Sequence, residues 1–164
     1  ADHEEYEYQQ NPFLEGYEGG GHPNIIFFTQ DRKYGKTFEY DLILANPTSK
    51  LLLTESISNK KELEVLMDLY ENNKPLHELT AELGKSKENK RIIGSLENTL
   101  DKWDEDDKNK ALIAARYLNS VNKGENALEL AYVLQENLEK KGTSEYQEFK
   151  VPDYIKDAIE WVCK

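Results

Sequence analysis

The chain carries three short stretches whose residue types could do chemistry. The first is Gly35-Lys36-Thr37, a glycine, a lysine and a hydroxyl in the order that ends a phosphate-binding loop. A complete loop of that kind needs another glycine five positions before Gly35, so that the backbone can wrap the phosphates. Position 30 is Gln30, and the bulky Arg32, Lys33 and Tyr34 fill the loop between. The stretch therefore reads as an ordinary loop followed by a helix cap. The second is Lys36-Thr37-Phe38-Glu39-Tyr40-Asp41-Leu42. Glu39 and Asp41, two apart, do not share a helix face. In a first helical turn, however, both can reach toward the end of a preceding strand, where α/β proteins place their sites. Carboxylates there suit Mg²⁺, which takes hard oxygen ligands. They also simply complement the positive end of a helix. The third is Asn122-Lys123-Gly124-Glu125-Asn126-Ala127. Lys123, just before a glycine and a helix, could stabilise charge developing on a phosphoryl group. It could equally be a solvated surface lysine.

Other residue types offer less. His3, His22 and His77 are scattered without ligand spacing, so neither a His-based zinc site nor a Ser/His/Asp triad is expected. The single cysteine, Cys163, cannot form an internal disulfide and fits a reducing, cytosolic setting. Tyr6, Tyr8 and Tyr17 have acidic neighbours, which points to loop packing or a partner surface rather than to base stacking.

The elements that must position these residues follow from pattern. Residues 1–24 are polar and glycine-rich and read as loop. Ile25–Thr29 is β-branched and aromatic and predicts a short buried strand. Gln30–Lys36 joins it to a helix that Thr37 caps and Pro47 stops near Asn46. From Ser58 onward the pattern is helical. Asn59 caps a helix to Asn72 with Leu63, Leu66, Met67 and Tyr70 on one face. Pro75 starts the next, with Leu76, Leu79 and Leu83 ahead of Gly84. Ser86 caps a third, faced by Ile92, Ile93, Leu96 and Leu100. Asp104–Asp107 open a fourth with acidic residues in its first turn, carrying Leu112, Ala115 and Leu118. Gly124 breaks the chain. Ala127, Leu130, Ala131, Leu134 and Leu138 then form an amphipathic helix ending near Gly142. Pro152 begins the last helix, with Ile155, Ile159 and Val162 apolar. The fold class is mainly α with a small α/β element at the N-terminal end.

Composition bounds these readings. With 164 residues and 38% hydrophobic content, one domain with a real core is expected. Charged residues make up 32% and mean hydropathy is −0.81, so the surface is heavily solvated. No apolar run approaches the roughly 20 residues that span a bilayer, and no signal peptide is visible. The chain starts with Ala1 rather than Met, as a processed terminus or a piece of a longer protein would. Net charge is −11. Such a chain repels a phosphate backbone unless divalent metal or basic regions elsewhere offset its carboxylates.

The order of segments carries a resemblance. A hydrophobic segment precedes Lys36–Leu42, a long helical stretch follows, then comes Asn122-Lys123-Gly124-Glu125-Asn126-Ala127-Leu128-Glu129-Leu130-Ala131. Phe149-Lys150-Val151-Pro152-Asp153-Tyr154-Ile155-Lys156-Asp157-Ala158-Ile159 closes the chain. From about Ile25 to the end this resembles the C-terminal region of OLD-family ATP-dependent endonucleases. Their Toprim domain has a Thr-(Leu/Phe)-Glu-x-Asp-Leu segment, a later Lys-Gly-x-x-Ala-x-x-Leu-Ala segment and a closing Val-Pro-x-Tyr-Ile-x-x-Ala-Ile. The resemblance implies that residues 1–58 are the remainder of a Toprim-like α/β nuclease domain, and that 59–164 form a helical bundle packed on it. It implies Glu39 and Asp41 as metal ligands, Lys123 as a catalytic lysine, and Mg²⁺ or Mn²⁺ as cofactor. It also implies cleavage of DNA phosphodiesters with two metals. The parent would be a cytoplasmic, bacterial, homodimeric enzyme with its ATPase domain in cis, so that ATP belongs to the full-length protein only.

The chain departs from that family in several ways. It has no P-loop, and no Asp-x-Asp pair at a strand end, although Asp2 could be the tail of one. The Toprim core also needs an earlier glutamate on a preceding strand, and the family's lysine-containing segment usually has an aromatic near Asn126. The metal site would then be partial and the isolated chain inactive. The alternative from the residues alone is a non-catalytic, acidic helical module that binds a partner.

Overall fold

The structure, a computed structural model, describes Tyr17 and residues 24–30, 35–97 and 103–164. Among them are seven α-helices: α1 Phe38–Ala45, α2 Lys60–Glu71, α3 Leu76–Leu83, α4 Lys90–Glu97, α5 Glu105–Leu118, α6 Lys123–Glu139 and α7 Asp153–Val162. Single 3-10 turns lie at Lys50–Leu52 and Lys87–Asn89. The chain is mainly helical.

Helix α5 is the centre. Asp104 caps it, accepting from the Asp107 amide at 2.8 Å, while the Asp107 side chain accepts from the Asp104 amide in return. Beyond that acidic first turn the sequence turns apolar, and every residue from Ala111 to Tyr117 is buried. A helix apolar on all sides belongs inside a core, and α5 packs against α1, α2, α3 and α4. Leu63, Leu66 and Met67 of α2, and Leu79 and Leu83 of α3, are fully enclosed. Each such side chain contributes about 1.5–3 kcal/mol by transfer from water. Tyr40, Leu42 and Ile43 of α1 close the other side.

Polar side chains join the elements where backbone cannot. Arg116 Nε donates to Glu62 Oε2 at 2.6 Å, and Asn89 Nδ2 donates to Glu62 Oε1 at 2.6 Å. One carboxylate thus ties α5 to α2 and to the turn before α4. Asn46 Nδ2 donates to the Lys150 carbonyl at 2.8 Å, and the Lys150 amide returns a bond to Asn46 Oδ1 at 2.7 Å. Asn137 makes the same double exchange with Gln147, at 2.8 and 2.9 Å. Two buried asparagines therefore substitute for strand neighbours and seat residues 147–150 between α1 and α6.

Several expectations are corrected. Ile25–Thr29 is not a buried strand: Ile25 makes a single bridge and is exposed, and residues 26–30 have no regular structure. The pattern is apolar enough for a strand, but hydrophobic type alone supplies no pairing edge. Gly124 does not break the chain. It lies in the first turn of α6, where glycine is tolerated because those amides lack intrahelical partners anyway. The apolar face expected for α6 is displaced: Ala127, Ala131 and Leu138 are exposed, while Asn126, Leu130 and Asn137 are buried. Asn59 and Ser86 stand at their helix starts without side-chain capping bonds. Asp2, His3, Tyr6, Tyr8, His22 and Leu100 lie outside the described residues.

Candidate active site at the start of the first and sixth helices

Thr37 begins α1 with extended backbone, and its hydroxyl accepts from the Tyr40 amide at 3.4 Å. Glu39 therefore falls in the first turn and is held close to the helix's own amides. Its carboxylate meets Lys123, the first residue of α6: Lys123 Nζ lies 3.3 Å from Glu39 Oε2. The glutamate side chain is only 17% exposed and the lysine 56% exposed. Burial acts to raise the Glu39 pKa. Hydrogen bonds from its own amide and the Thr37 hydroxyl, with the bond and charge of Lys123, outweigh burial and hold it below the ordinary value.

Lys123 is placed by a polar chain one turn further along α6. The Tyr117 hydroxyl donates to Asn126 Oδ1 at 3.2 Å, and Asn126 Nδ2 donates to Thr54 Oγ1 at 2.8 Å. The Ser56 amide donates to Glu129 Oε2 at 2.8 Å. A bridge between Ile57 and Val121, and a bond from the Ser58 amide to the Ser120 carbonyl at 3.0 Å, fix the turn before α6. Burial, helped by the Glu39 charge, pushes the Tyr117 phenol up to about 12.

Asp41 goes elsewhere. It is buried, and its Oδ1 accepts from the Lys36 amide at 3.3 Å. It lines a cleft with Gly35, Asp153, Tyr154 and Asp157, on the side of α1 that faces α7. The separation of Glu39 and Asp41 is the one their spacing requires on a helix. Tyr154 lies within reach of both charges: burial raises its pKa, Asp41 and Glu39 raise it further, and a hydrogen bond with Gln30 opposes them.

Glu39 and Lys123 are thus brought together, while Asp41 stands apart. Among the described residues no three His, Cys, Asp or Glu side chains converge as a metal-holding group. Glu39 is arranged as an ion-pair partner, and one Asp41 oxygen is bound to backbone. The described residues alone do not make a Mg²⁺ site. Lys36 Nζ lies 5.4 Å from the centre of the Tyr40 ring, Thr37 caps α1, and the loop residues 31–34 lie outside the described residues.

No protein-family model, curated protein or solved structure matches the chain. The site therefore rests on its own geometry. Sequence reasoning passed over Tyr117, Thr54 and Tyr154. Tyr154 stands within the closing Val-Pro-Asp-Tyr-Ile motif, a usable signal; Tyr117 and Thr54 look like ordinary residues of a helix and a loop.

Proposed function

We infer that this chain is the C-terminal part of a metal-dependent DNA endonuclease of the OLD family, acting on phosphodiesters. In this reading residues 1–58 are the remainder of a Toprim-like domain and 59–164 the helical region beside it. One observation carries it. Glu39 and Lys123, distant in sequence and drawn from two separate motifs of the resemblance, meet at 3.3 Å.

The chain's own contribution is limited and specific. Lys123 supplies a positive charge at a fixed helix start, suited to a phosphoryl oxygen that gains charge in the transition state. Glu39 keeps that ammonium in place and is ionised at neutral pH, since its pKa is held low. A bound divalent metal would supply water activation and charge neutralisation. Its remaining ligands would come from outside the described residues, so no step is assigned through it, and the isolated chain is expected to be inactive.

The test is Mg²⁺- or Mn²⁺-dependent cleavage of plasmid DNA by the full-length protein, comparing wild type with Lys123→Ala and Glu39→Ala. Loss of at least about a hundredfold in both folded variants, the scale of removing one preorganised charge-stabilising group, is expected. Wild-type cleavage by both variants removes these residues from any active site.

A further inference from the structure

Helix α7 buries none of its residues. Yet Ile155, Ala158, Ile159 and Val162 follow the i, i+3, i+4, i+7 spacing of one apolar face. Ile159 is 56% exposed and Val162 75% exposed. A groove of about 440 Å³ runs along that face, with Phe28 and Tyr154 as further walls. The same Phe28 and Tyr154 also wall the cleft of about 560 Å³ that reaches Asp41, Asp153 and Asp157. The apolar groove and the acidic cleft are therefore one continuous surface. Among the described residues no lysine or arginine lines either part. Three lysines adjoin lining residues in sequence: Lys156, which pairs along α7 with Glu160 at 3.8 Å, Lys36, whose ammonium lies 5.4 Å from the centre of the Tyr40 ring, and Lys164 at the end of the chain.

We propose that this surface docks a basic amphipathic helix of a partner protein. Its large apolar side chains fill the groove, and its lysines or arginines enter the cleft. Charge selects among the occupants. A second copy would set one acidic rim against another in a chain of net charge −11. An anionic lipid surface would be repelled in the same way. A helix with an apolar face and a cationic flank gains burial and charge complementarity together. This inference is independent of the nuclease reading, because the surface uses neither Lys123 nor Glu39.

The test is fluorescence anisotropy of a labelled synthetic leucine/lysine helix of about four turns, long enough to span such a groove, titrated with the whole chain. A serine/lysine peptide of equal charge is the control. Ile159 and Val162 are exposed, so Ile159→Asp and Val162→Asp leave the fold intact, which circular dichroism checks. Each is expected to weaken binding about tenfold, as loss of one apolar anchor does. Asp153→Asn with Asp157→Asn is expected to weaken it about threefold and to reduce its salt dependence. Glu136→Gln, an exposed change on α6, leaves it unchanged. The proposal is overturned if Ile159→Asp binds as wild type or if the serine/lysine peptide binds equally well. It is also overturned if wild type sediments as a dimer that Ile159→Asp dissolves, since the groove is then filled by a second copy.

Discussion

Asn126 is the residue on which the arrangement around Lys123 most depends. It accepts from Tyr117 and donates to Thr54, so Asn126→Ala leaves the buried Tyr117 hydroxyl without its acceptor, while Thr54 keeps its bond with the Ser56 hydroxyl at 3.2 Å. The expected cost is about 2 kcal/mol, because an unsatisfied buried group loses its full solvation. Chemical denaturation measures that cost. Tyr117 supplies a pH signature of the same burial. Its folded pKa is raised from 10.0 to about 12, so the neutral phenol is the favoured form in the folded state. That contribution to stability is complete below pH 10 and is lost as pH rises through about 12. Ultraviolet titration should show a late phase of tyrosine ionisation near pH 12 that Tyr117→Phe reduces. Complete ionisation near pH 10 in a folded chain would contradict the burial. Neither residue was legible beforehand. Nothing in a helix of mixed type marks which asparagine faces inward. The Glu39–Lys123 meeting was legible only as a consequence of resemblance, since the two are separated by four other helices.

At the scale of elements, local chemistry predicted starts and stops better than faces. Thr37 caps α1 by its hydroxyl and Asp104 caps α5 by its carboxylate, both readable from residue type and position. Asp104→Ala should cost about 1 kcal/mol, the ordinary value of a lost cap, seen as a lower midpoint in thermal unfolding with the helical signal of the folded state unchanged. The faces of α2 and α3 were also plain, because their leucines repeat at helical spacing against a polar background. Helix α6 was misread because two of its inward positions are asparagines, and a count of apolar residues passes over them. Ile25–Thr29 was misread for the opposite reason: apolar character was taken as pairing, and pairing needs a neighbour with open backbone groups.

At the scale of the molecule, stability concentrates on α5 and on the few polar ties that reach it. The guanidinium of Arg116 is 6% exposed and its partner Glu62 is 19% exposed. Glu62→Ala would leave that cation buried without its acceptor, while Asn89 keeps only its bond to the Leu83 carbonyl. The expected loss is about 3 kcal/mol, well above an exposed pair such as Lys60 with Glu55, and denaturant unfolding of the two variants compares them directly. The last segment of the chain is held differently. Asn46 grips Lys150 across a sequence separation of 104 residues, and α7 beyond it buries nothing. Such a latch can close only after the helices between have assembled, since an open chain gains little from two bonds against so long a loop. Hydrogen exchange should therefore find the Lys150 amide, held by this latch at the edge of the core, less protected than the amides of the enclosed α5.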